Sequence, residues 1–174
     1  MGICRPSRAP QAPRTRAVHL AHDYAFPAGL VWDVVTDFDH LQTVTKGVLA
    51  FRNLPSGQLF QGQHINVDVS LFGWMPYQPY EMTVLALDEE HMSFLSSEVG
   101  AGVKSWNHSL QVIPQTDGCR VSEQIEIDAG VATPLFSARA RYLYRRRHKP
   151  RLQILADLYR REEAQEAKTE FRTH

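Results

Sequence analysis

Between Val48 and Asp128 the chain repeats one pattern, short runs in which apolar and polar residues alternate. Ile65, Val67, Val69 and Leu71 alternate with His64, Asn66, Asp68 and Ser70. Trp106, His108, Leu110 and Val112 do so with Ser105, Asn107, Ser109 and Gln111, and Val121, Glu123, Ile125 and Ile127 with Ser122, Gln124, Glu126 and Asp128. A period of two puts one set of side chains on each face of a strand. Pro55-Ser56-Gly57, Asp88-Glu89-Glu90, Gly100-Ala101-Gly102 and Asp117-Gly118 supply turn chemistry between the runs. Six consecutive strands with short connections require an antiparallel sheet with one wet face, because parallel neighbours need long crossovers.

The flanks change period. VHLAHDYAF, ahead of Pro27, reads as a further strand with Leu20, His22, Tyr24 and Phe26 on one face. Leu30, Val31, Val34 and Val35 then recur at helical spacing until Asp37, whose short carboxylate suits the cap of a second short helix closed by Lys46-Gly47. After the last strand, Thr133-Pro134 opens a long helix with the stripe Phe136, Ala140, Tyr144, His148, Leu152, Leu155 and Tyr159. Pro150 interrupts its backbone bonding. Residues 1–17, with three prolines and four arginines, read as a disordered basic leader, and residues 163–174 as a frayed polar tail.

A chain of 174 residues with 43% hydrophobic residues is long enough to bury one core without disulfides, and it has only two cysteines, Cys4 and Cys119. A cytoplasmic protein is expected. The N-terminal segment lacks the apolar stretch of a secretory signal, Pro6 spoils a myristoylation motif after Gly2, and no run is long enough to span a bilayer. The zero net charge hides a segregation: residues 18–138 hold four bases against fourteen acids, and residues 139–174 eleven bases against five acids. Arg145, Arg146, Arg147, Lys149 and Arg151 crowd the last helix, either as a solvated face or as a surface for an anionic membrane. No recognition motif accompanies them, so nucleic acid is not expected.

The order strand, two short helices, six strands and long helix, with the entry Phe26-Pro27-Ala28-Gly29-Leu30-Val31-Trp32-Asp33-Val34-Val35-Thr36-Asp37-Phe38, resembles the START-like or SRPBCC superfamily. The resemblance covers residues 18–162 and implies an α+β helix-grip fold: a seven-stranded curved antiparallel sheet around the C-terminal helix, with a hydrophobic cavity between them. Carried over strand by strand, it implies ligand contacts from Tyr24, Phe26, Val67, Val69, Trp106, His108, Leu110, Glu123 and Ile125, with Ile127 also inward. From the helix come Phe136, Ala140, Leu143 and Tyr144, and from a loop at the cavity mouth Trp74.

His108 and Glu123 are the ionisable residues whose parity sets them among apolar neighbours, either as polar handles in the cavity or satisfied by tyrosine, backbone or water. If 117 faces 118 across a two-residue turn, His108 faces Ile127 and Glu123 faces Val112, about four residues apart along the sheet. The resemblance implies binding or carriage of a hydrophobic small molecule such as a lipid, isoprenoid, quinone or polyketide. One alternative is a cofactor-free cyclase or dehydrase using His108, Glu123 or Tyr144 as proton carriers. Another is a membrane-associated lipid-transfer accessory. No metal site is expected, since His19 and His22 fall on opposite faces of a strand, and no cofactor motif is present.

Overall fold

The computed structural model describes residues 15–172. Strand β1 (Arg16–Tyr24) is followed by helices α1 (Ala28–Val35) and α2 (Phe38–Thr45). Then come β2 (Leu49–Arg52), β3 (His64–Leu71), β4 (Gln78–Asp88), β5 (Ser93–Gly100), β6 (Val103–Gln115) and β7 (Gly118–Asp128), and finally helix α3 (Thr133–Arg172). The seven strands form one antiparallel sheet in the order β1-β7-β6-β5-β4-β3-β2. The register shifts at Val84/Ala86 and Glu98/Gly100, and irregularities of this kind bend a strand and increase its twist. The curled sheet and long terminal helix make the helix-grip fold.

Local chemistry explains the joints. The Asp37 carboxylate accepts hydrogen bonds from the Asp39 and His40 amides at 2.7 and 3.0 Å, which ends one short helix and begins the next. Thr133, expected as the cap of α3, is already helical and acts differently: its hydroxyl ties the helix to the preceding turn, accepting from the Ala129 amide at 3.0 Å and donating to the Gly130 carbonyl at 2.8 Å. Gly118 has φ +136°, and a Cβ there would lie 2.0 Å from the Tyr24 carbonyl oxygen. Only glycine lets β7 start against the end of β1.

Three readings of the sequence change. β1 begins at Arg16, so the last two residues of the basic leader are paired with β7, while residues 1–14 lie outside the described residues. The polar segment after Tyr159, expected to fray, is helical to Arg172. The β6–β7 turn is Thr116-Asp117, flanked by the pair Gln115 and Gly118, which moves the register by two residues. His108 faces Ile125, and Leu110 faces Glu123.

The buried stripe of α3 also differs. It runs through Thr133, Ser137, Ala140, Leu143, Tyr144, Arg147, Arg151 and Leu155. Leu152 is half-buried and Tyr159 is at the surface. Arg147 and Arg151, read as part of a solvated or membrane-facing charge cluster, are 7% and 4% exposed. Arg145, Arg146 and Lys149 do face solvent. Among the described residues, no helix is long and apolar enough to cross a membrane.

Candidate functional site

The backbone of α3 rides closest to β1, β7, α1 and α2. Away from that seam, between α3 and strands β3 to β6, the side chains leave a cavity of about 130 Å³. Its wall is mostly apolar: Ile65, Val67 and Val69 from β3, Met82 and Val84 from β4, Phe94 from β5, Trp106 and Leu110 from β6, and Phe136 and Leu143 from α3. Val34, Phe38, Leu41 and Val44 of the two short helices and Leu49 and Phe51 of β2 complete it. Gly102 seats the Phe136 ring, because a Cβ there would lie 3.0 Å from the ring's Cζ.

Of the residues expected to contact a ligand, the structure brings Val67, Val69, Trp106, His108, Leu110, Phe136, Leu143 and Tyr144 to the cavity wall. Tyr24, Ile125, Ile127 and Ala140 are buried in the core instead, and Glu123 lies fully buried behind His108. Phe26 is half-buried and packs edge-on against Tyr159 at 5.9 Å. Trp74 is 77% exposed and stacks on Phe72 at the protein surface, so it forms no part of the wall. Beside Thr36, Asp37 and Arg139, the wall holds the polar residues Tyr80, Ser96, Glu98, Arg147 and Arg151, of which only the two arginines, neighbours of Tyr144 on α3, were marked by charge in the sequence.

These polar side chains form two groups. In the first, Glu98 accepts from the Tyr80 hydroxyl at 2.6 Å and from the Ser96 hydroxyl at 2.9 Å. Burial and the adjacent Glu98 push the Tyr80 phenol well above its ordinary range. In the second, Arg151 donates from Nη2 to Glu123 Oε1 at 3.2 Å, and His108 Nε2 lies 3.7 Å from the same oxygen. That last separation is too long for a hydrogen bond but short enough for charge attraction. The shifted register creates this approach: with His108 opposite Ile125, Glu123 is the diagonal neighbour on the same face.

Burial by itself would raise the Glu123 carboxyl, yet Arg151, then His108 and Arg147, outweigh it and hold the group well below the usual carboxylate range. Burial would likewise weaken the Arg151 cation, but Glu123 reverses that and raises it. The Tyr144 phenol is raised, chiefly by burial. Its ring packs edge-on against His108 at 5.0 Å and lies beneath the Arg147 guanidinium at 4.2 Å. At neutral pH this group therefore presents a fixed carboxylate, a fixed guanidinium and a neutral phenol. Among the described residues, no cluster of three or more His, Cys, Asp or Glu side chains could hold a metal ion.

Solved structures share this architecture at low identity. Protein CV1439 from Chromobacterium violaceum aligns with a TM-score of 0.65 and 12% identity over 80% of this chain and 96% of its own. A point mutant of norcoclaurine synthase from Thalictrum flavum, described in complex with a transition-state analogue, aligns at 0.64 with 16% identity over 85% and 98%. Ara h 8.0201 aligns at 0.62 with 8% identity over 82% and 99%. Another structure of the Thalictrum enzyme holds dopamine and hydroxybenzaldehyde. Likenesses at this identity establish the fold. No curated protein matches the sequence. The family model described as a domain of unknown function, DUF8410, matches residues 43–154, and the chain belongs to that family.

Proposed function

We propose that the protein binds a small, largely apolar molecule in the cavity between the sheet and α3. The observation that carries this reading is the cavity itself: about 130 Å³ of unfilled space walled by apolar side chains, with a few polar groups along one band of the wall. Close packing is the rule for protein interiors, so such a void is costly unless something fills it. A space of this size suits one aromatic ring or a short aliphatic chain. Apolar burial at roughly 25 cal/mol per Å² supplies the affinity, and the polar band sets orientation. That norcoclaurine synthase holds small aromatic molecules on the same fold supports the class of ligand.

Binding is favoured over proton-transfer catalysis because Glu123 stays ionised and Tyr144 stays neutral near pH 7, whereas a general acid or base works best when poised near the working pH. The second reading, a cofactor-free enzyme acting through His108, rests on a buried Nε2 that has no hydrogen-bond partner.

Titration with the neutral single-ring fluorophore 4-(dimethylamino)benzonitrile tests the first reading. Saturable binding is expected in the wild type, and it should vanish in Leu143→Trp, which fills the cavity. Absence of binding, or equal binding by the filled variant, overturns it. Native mass spectrometry of the purified protein identifies any copurifying molecule.

A further inference from the structure

Arg139, Leu143, Arg147 and Arg151 are each four residues apart, so they form one row along α3, and all four reach the cavity wall. The three arginines are not equivalent. Arg151 is paired with Glu123. Arg139 is half-buried, with its guanidinium 5.6 Å from the Phe136 ring centre. Arg147 is 7% exposed, and among the described residues it makes no hydrogen bond or ion pair; its buried Nε has no acceptor. Its guanidinium carbon lies over the Tyr144 ring, 4.2 Å from the centre, a contact that supports the charge without satisfying the Nε donor.

Neither nearby carboxylate bonds Arg147: Glu98 accepts from Tyr80 and Ser96, and Glu123 accepts from Arg151 through Oε1, while its buried Oε2 has no hydrogen-bond partner. Arg139, Arg147 and Arg151 are formally balanced by Asp37 and Glu98 in the wall and Glu123 behind it, so it is the unpartnered Nε of Arg147, not net charge, that favours a ligand bearing an acceptor. A buried cation lacking an acceptor is costly, and a planar guanidinium edge matches a carboxylate in a two-point fit. We propose that the ligand of this cavity is a carboxylic acid with a compact apolar body, its carboxylate seated on the Arg147 guanidinium. The proposal rests on the cavity-binding reading and adds the charge of the ligand to it.

Displacement of 4-(dimethylamino)benzonitrile at pH 7.5 by benzoate, phenylacetate and 3-phenylpropionate, each against its primary amide, tests this. At least one acid should bind about tenfold more tightly than its amide, and Arg147→Met should lower that acid's affinity about tenfold while moving the amide less than about threefold. Thermal melting supplies a readout without ligand. Arg147→Met should melt close to the wild type, because the loss of its attraction to Glu123 is offset by removal of a buried cation whose Nε has no acceptor. A marked drop would show that the fold already satisfies this cation and would overturn the proposal. Equal affinities of acid and amide, or an acid preference that survives in Arg147→Met, would overturn it while leaving the cavity-binding reading intact. Failure of the fluorophore and of every acid and amide to bind would remove both.

Discussion

The two sides of α3 face the same sheet at different distances. Toward β1 and β7 the helix backbone comes close, and Val18, Leu20, Tyr24, Val121, Ile125 and Ile127 beneath it are all at most 9% exposed. Toward β3, β4 and β5 the helix stands off, Tyr80 and Met82 are only half-buried, and the cavity opens. One side spends its apolar residues on contact with each other, the other leaves them facing an unfilled space. The closed seam therefore holds the fold, and the open side is free to answer to a ligand. The Glu123–Arg151 pair sits at the boundary, joining β7 to the helix.

The sharpest way to break this division is at the boundary. Glu123→Gln strands the buried Arg151 cation and should cost about 3–5 kcal/mol in urea unfolding. The same carboxylate sets an acid limit. Its folded pKa lies below its unfolded value, so its stabilisation is complete above about pH 4.3 and is lost progressively as pH falls below that. The wild type should therefore lose stability as pH falls from about 4.3 toward about 2 more steeply than Glu123→Gln, which has no carboxylate there to titrate.

Next in size is the contrast between the two sides. Leu155→Ala, in the closed seam, should cost about 2–5 kcal/mol, whereas Val67→Ala, which enlarges an existing cavity, should cost about 1 kcal/mol and weaken fluorophore binding. Similar losses at the two sites would show that the division is false. Asp37→Ala removes a helix cap and should cost about 1 kcal/mol. The smallest effect concerns the stacked His22 and His148 rings, 4.7 Å apart. Burial lowers both, aided by the His148 charge at His22 and by Arg151 at His148. The folded state therefore favours the neutral rings, and stability should fall gently as pH drops below about 6.5, a slope that His148→Gln should lessen.

The architecture could be read from the sequence because alternation, turn residues and capping act locally. Asp37 starts its helix for a reason visible within a few residues, and Thr133 ties the start of α3 to the turn just before it. Parity also identified His108 and Glu123 as inward-facing. What it could not give was their proximity, because that depends on the turn at Thr116-Asp117, and a two-residue shift preserves every face while changing every partner. The burial of Arg147 and Arg151 was obscured by the charges around them. A signal was present: both continue the spacing of Ala140, Leu143 and Tyr144 toward Leu155. Reading it required accepting charged residues on an apolar stripe, which becomes physically sensible only once Glu123 is known to meet one of them.

The ion pair joining β7 to α3 has a mechanical consequence. Rolling a helix by one residue turns it about 100° around its own axis, and such a roll would carry Arg151 off Glu123. Grease alone tolerates small rotations; a buried charged contact does not. The pair works as a dowel that fixes the azimuth of the rod, so the space beside it behaves as a mould of set shape, and guests must conform to it.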